Sequence, residues 1–236
     1  MARALTRTPF HSSRLLRILA DLAAFDATVP GTAFAERLGL WVDYTHAITL
    51  CAVHGASSTG PAGTAAPLPD ATPLAWHAEF ARLRAGLERA ITSASLPQPE
   101  PATASQPDAE SLTARDITAA YEPYRRYYLA QQRDLELKVP PLRSRVREAL
   151  AQGSPEQQQL AALDAALDGI LGERETRLLA ALPQLLKKRF AHLLRSQALA
   201  PFGHELQTVL LAELDLRLQP ALGLVEALQQ ETTRTP

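Results

Sequence analysis

The sequence predicts an all-α fold, and three observations carry that expectation. Leu and Ala supply most of a 46% hydrophobic content while β-branched and aromatic residues are sparse, and straight side chains lose little rotamer freedom on a helix. Apolar residues recur at spacings of three and four along most of the chain, the period of one helical face. Capping signatures such as Thr72-Pro73 and Ser154-Pro155-Glu156-Gln157 stand where those runs begin.

The first element follows Ser12 or Ser13 as a cap and carries Leu15, Leu16, Ile18, Leu19 and Leu22. Asp26 to Gly31 reads as a turn and Thr32 as the next cap, before a helix to about His54 whose apolar set includes Phe34, Leu38, Trp41, Val42, Ile48 and Val53. Residues 1–54 are thus expected to form an antiparallel helical hairpin. The stretch GASSTGPAGTAAPLPDAT over 55–72 and the Pro-rich stretch over 94–110 read as linkers. Between them, 73–93 is a tethered amphipathic helix with Trp76, Phe80, Leu83, Leu87 and Ile91 on one face.

Residues 111–231 read as a bundle of long, kinked helices, partly coiled-coil-like. Thr113 and Asp116 can cap a helix running to Leu137, with Pro123 as a kink or restart. Pro140 and Pro141 should bend the chain before a short helix bearing Leu142, Val146 and Leu150, which Gly153 ends. From Leu160 the apolar positions Leu163, Leu167, Ile170, Leu178, Ala181 and Leu185 form a heptad-like seam, weakened by Gly169, Gly172 and Pro183. The last helix carries Leu206, Leu210, Leu214, Leu218 and Leu222, bent at Pro220.

At 236 residues the chain can bury a core as one large domain or two small ones. A net charge of −1 provides no global field for a polyanion or a membrane surface. Cys51 is the single cysteine, so neither an intrachain disulfide nor a thiolate-rich metal site is available. Arg17 and Asp21 interrupt the apolar stretch from Leu15 to Phe25, which argues against a signal peptide, and no run approaches the roughly 20 apolar residues of a membrane span. A cytoplasmic location is the expectation.

Little in the sequence points to chemistry. The six histidines lack zinc-site spacing, and no phosphate loop or nucleophile elbow is present. Cys51 and His54 stand one helical turn apart, which permits an activated thiol, but a buried small thiol is the expected role. Asp164, Asp168, Glu173 and Glu175 read as solvated faces. Tyr121, Tyr124 and Tyr128 share one helical face beside Arg125 and Arg126, so they could stack bases while arginines meet phosphates, although helix packing is the commoner use of such tyrosines. Arg143, Arg145 and Arg147 could extend that basic surface, and Lys187-Lys188-Arg189 reads as a complement to a helix C-terminus.

Three stretches resemble a proteobacterial family catalogued only as a domain of unknown function: Phe34 to Gly39, Tyr124 to Ala130 and Leu210 to Pro220. The resemblance implies a mostly helical chain, and it carries no catalytic residue onto this sequence. It further implies an accessory role near a bacterial envelope motor-type complex.

The expected function is therefore a non-catalytic helical adaptor or assembly factor binding another protein or itself, with Leu206, Leu210, Leu214 and Leu218 as contact surface and no ionisable cluster buried among the stripes. A nucleic-acid-binding helical module using Tyr121, Tyr124, Arg125 and Tyr128 is the alternative, though nucleic acid is not the expected partner. An enzyme built on Cys51 and His54 ranks last. No cofactor, metal, small-molecule substrate or membrane insertion is expected.

Overall fold

The computed structural model describes residues 14–22, 44–55, 73–93, 96 and 113–232. Within them every element is an α-helix: α1 (Arg14–Leu22), α2 (Tyr44–Gly55), α3 (Pro73–Ser93), α4 (Ala114–Ala151), α5 (Pro155–Leu179), α6 (Leu182–Arg195) and α7 (Phe202–Thr232). The all-α expectation holds. The linker readings over 56–72 and 94–110 lie outside the described residues, apart from Leu96, as do the caps at Ser12, Ser13, Thr32 and Thr72, the turn at 26–31, and Phe34, Leu38, Trp41 and Val42.

The helices start where side chains satisfy bare amides. Thr113 and Asp116 form a reciprocal capping box at α4, with Asp116 N–H donating to Thr113 Oγ1 at 3.3 Å and Thr113 N–H to Asp116 Oδ2 at 3.1 Å. The Thr113 hydroxyl also donates to Asp116 and holds that carboxyl below its ordinary range. Ser154 and Gln157 repeat the box at α5. Gly153 matters there for space rather than for a left-handed turn: a Cβ on it would lie 1.7 Å from Gln157 Oε1. Helix α6 ends without a glycine. Gln197 adopts φ 54°, and the bonds Ala198 N–H to Leu193 O (2.9 Å) and Gln197 N–H to Leu194 O (3.2 Å) close a Schellman motif.

Cross-helix bonds fix the topology. Tyr127 Oη donates to Ile91 O, and Arg145 pairs with Glu79, so α4 runs antiparallel to α3. Arg143 meets Asp164 and Tyr121 Oη donates to Pro183 O, which sets α5 and α6 antiparallel to α4. Tyr128 reaches Glu213 and Arg217 reaches Glu136, so α7 lies alongside α4 in the same direction. The result is an up-down-up-down bundle whose third member is broken into α5 and α6.

The tethered helix is thus a full member of the bundle. Trp76, Phe80, Leu87 and Ile91 of α3 are buried in the common core with α4 and α7. Of the span 1–54 expected to form a hairpin, the described parts are α1, which packs on α7, and α2, which packs on α5; residues 23–43 between them lie outside the described residues.

Three prolines expected to bend or divide α4 leave it continuous from Ala114 to Ala151. Pro140 and Pro141 are exposed, and the carbonyls they leave bare belong to Glu136 and Leu137, also exposed residues that water can reach. Pro183, by contrast, marks a real break. Its missing N–H would have bonded Leu179 O, and Gln132 Nε2 from α4 donates to that carbonyl instead at 3.1 Å. The heptad-like seam follows the buried face only in part: Ile170 is buried and Leu160, Leu163 and Leu167 are half-buried, but Leu178, Ala181 and Leu185 are exposed, while Gln157, Ala161, Asp164 and Leu179, outside the seam, point inward.

Candidate functional site

Ionisable side chains converge at the centre of the bundle. Helix α4 contributes Tyr128 and Gln132 one turn apart, and α7 contributes Glu213 and Arg217 one turn apart, so both pairs face the α4–α7 contact. Glu213 is wholly buried. Its Oε2 accepts from Tyr128 Oη at 2.7 Å, and its Oε1 accepts from Gln132 Nε2 at 3.0 Å and from Arg217 Nε at 2.9 Å. Arg217 also reaches Glu136 at 3.3 Å. Burial, reinforced by the Glu213 carboxylate, pushes the Tyr128 hydroxyl far up, so it remains a donor at every physiological pH.

A second cluster joins α4 to α5. Arg143 and Arg147, one turn apart, grip Asp164 and Asp168, also one turn apart. The four pairings span 2.6 to 2.8 Å, and every member except Asp168 is largely buried. Bidentate guanidinium–carboxylate geometry of this kind fixes register as well as adding energy. Arg145, on the other face, stacks on Trp76 at 5.1 Å and pairs with Glu79. Between the clusters sits Glu175, whose carboxyl is raised by burial, against the opposing pull of Arg217 and Arg143. Arg174 Nη1 is buried nearby on the same helix with no hydrogen-bond acceptor.

Tyr128, Gln132 and Arg217 each donate to Glu213, and the arrangement acts as a lock on helix register. Among the described residues no group of three His, Cys, Asp or Glu side chains is placed to hold a metal ion, and no helix is long and apolar enough to cross a membrane.

A family profile described as "Protein of unknown function (DUF3348)" matches residues 1–230. The chain belongs to this family. No curated protein and no solved structure matches it.

In this DUF3348 chain the residues singled out from sequence are placed as follows. Tyr121, Tyr124 and Tyr128 are buried, so their rings are closed to bases. Tyr121 and Tyr124 pack on Phe190 and Phe202 with centroids 5.1 to 6.3 Å apart across the whole cluster. Arg125 pairs with Glu122 at 3.4 Å. Leu206, Leu210, Leu214 and Leu218 are buried in the chain's own core, so the contact surface expected there is already taken by α3 and α4. Glu213 and Arg217 overturn the expectation that the stripes conceal no ionisable cluster.

Asp164, Asp168 and the arginines at 143, 145 and 147 are likewise corrected, from solvated or basic faces to mutual partners. Lys187 bonds Thr118, and Arg189 grips Glu205 with both ends of its guanidinium. Cys51 is exposed rather than buried, because His46, Leu50 and Val53 are the more covered side of α2. The one sequence signal for the missed cluster was Glu213 itself, a charge at the three-residue step from Leu210 within an apolar stripe.

Glu175 gives a pH prediction. Its folded carboxyl titrates above the unfolded one, so the native state holds it best when protonated, and stability from this residue is lost as pH rises through the folded value. Glu175→Gln should therefore be more stable than the parent at pH 7. That advantage should vanish as pH falls below the ordinary glutamate range, as urea unfolding curves at several pH values will show.

Proposed function

We propose that this DUF3348 chain is a non-catalytic helical adaptor that binds another protein or a second copy of itself, and that α2 carries the contact. The observation behind this reading is the outward face of α2. Its sequence YTHAITLCAVHG contains no Asp, Glu, Lys or Arg. Tyr44 is 83% exposed, Ile48 is 53% exposed and Cys51 is also exposed, at steps of four and three, which is one continuous helical stripe. Scattered exposed apolar residues are ordinary, whereas an aligned stripe on an uncharged helix is the form in which helices dock on partners.

A photo-crosslinking amino acid placed at Tyr44 tests it. The expected result is a discrete adduct with a protein, either a second copy or another chain, that disappears when Ile48→Glu is added. The same label at exposed Glu148 should give none. A monomeric protein in light scattering with no adduct from Tyr44 would dispose of the reading.

A further inference from the structure

A separate feature lies on the opposite flank, where α1 and α3 meet α7. Leu15 is buried there, and Arg14 Nη1 bonds Asp215 Oδ2 at 2.8 Å. From the other side Arg84 Nη2 bonds Asp215 Oδ1 at 2.8 Å while its Nε holds Glu88 at 2.8 Å. Asp215 thus joins three helices. Beside this bridge runs an open groove of about 370 Å³, with Leu216 and Leu222 along its wall and Phe80 and Leu218 behind them. Its rim carries Arg14, Arg17 and Arg84.

The charges do not balance. Asp215 and Glu88 answer Arg14 and Arg84, while Arg17 is exposed and makes no ion pair among the described residues. One guanidinium is left over at the mouth of a groove whose wall is part aliphatic, from Leu216 and Leu222, and part polar, from Gln219 and Asp215. A carboxylate suits it, because the planar fork of arginine donates two parallel bonds to such a group. The volume falls within the range of small-ligand sites, and Leu216 and Leu222 offer hydrocarbon beside Gln219 and the already paired Asp215 carboxylate.

From this geometry we infer that the groove between α1, α3 and α7 binds a single-chain aliphatic carboxylate, its head on Arg17 and Arg14 and its chain along Leu216 and Leu222. The site is independent of the α2 stripe. It makes α1 one wall of a ligand site, so the ligand bridges α1 to the bundle.

Decanoate, below its micelle concentration, is the probe, titrated into the full chain by calorimetry and by amide spectra. Saturable one-to-one binding is expected, with shifts concentrated at Ala212, Leu216, Gln219 and Leu222. Affinity should fall by roughly two- to fourfold for each methylene removed toward hexanoate. Arg17→Glu, at an exposed and unpaired position that leaves the helical circular dichroism unchanged, should weaken binding more than tenfold. The neutral decanamide should bind at least tenfold more weakly than decanoate. Equal binding of decanamide, indifference to Arg17→Glu, shifts elsewhere on the protein, or no binding at all would each overturn the assignment.

Discussion

Glu213→Ala lowers the stability of the fold by about 3–5 kcal/mol, the usual cost of removing one partner from a buried charge pair. The deleted carboxylate receives hydrogen bonds from Tyr128, Gln132 and Arg217, so its loss takes an acceptor from three buried side chains at once. Arg217 suffers most, since its side chain is only 10% exposed and Glu136 at 3.3 Å is its remaining anionic partner. The network also makes a non-additive prediction. Tyr128→Phe destabilises the parent, yet in the Glu213→Ala background it should cost little, because the hydroxyl has already lost its acceptor. Urea midpoints for the four proteins of that cycle measure the coupling; additive losses would mean that the Tyr128 hydroxyl and Glu213 act separately.

Phe190→Ala should cost a comparable amount, about 3–5 kcal/mol, for a different reason. The ring is 1% exposed and stands between Tyr121, Tyr124 and Phe202 at centroid separations of 5.4, 5.4 and 5.1 Å. Removing it opens a cavity among three large rings that cannot all move inward, and it also forfeits their edge contacts. These rings seat the end of α6 and the start of α7 against α4, so the damage should concentrate there. Hydrogen exchange of amides over 202–210 should accelerate more than exchange in α5 near Ala161, and a uniform acceleration would show that the loss is global.

The two losses separate what could be read from the chain and what could not. The aromatic cluster was half legible: the spacing of Tyr121, Tyr124 and Tyr128 marked one helical face, and packing is the commoner use of such a face. Its partners Phe190 and Phe202 lie more than sixty residues away, and no local pattern pairs them. The polar cluster was less legible. Glu213 reads locally as one of many helix carboxylates, and its burial follows only from α7 lying against α4. The same holds for Asp164 and Asp168, whose solvated appearance changes once Arg143 and Arg147 stand opposite. Prolines misled for a related reason. Pro140 and Pro141 forbid two hydrogen bonds, yet α4 runs on through them, because Glu136 and Leu137 are exposed and water reaches the bare carbonyls.

By itself the sequence determined the helical class, the capping boxes at Thr113 and Ser154, the amphipathic face of α3 and a weak point at Pro183, where the structure has a break. All of these are set by interactions within a few residues: side-chain rotamer freedom, amide capping and the missing proline N–H. Only the tertiary structure decided that α1 packs on α7 and α2 on α5, that the leucine stripes are consumed inside the bundle, and that the outward apolar stripe belongs to α2. Those outcomes depend on which face of one helix is covered by another, and a period of 3.6 residues marks a face without naming the neighbour that covers it.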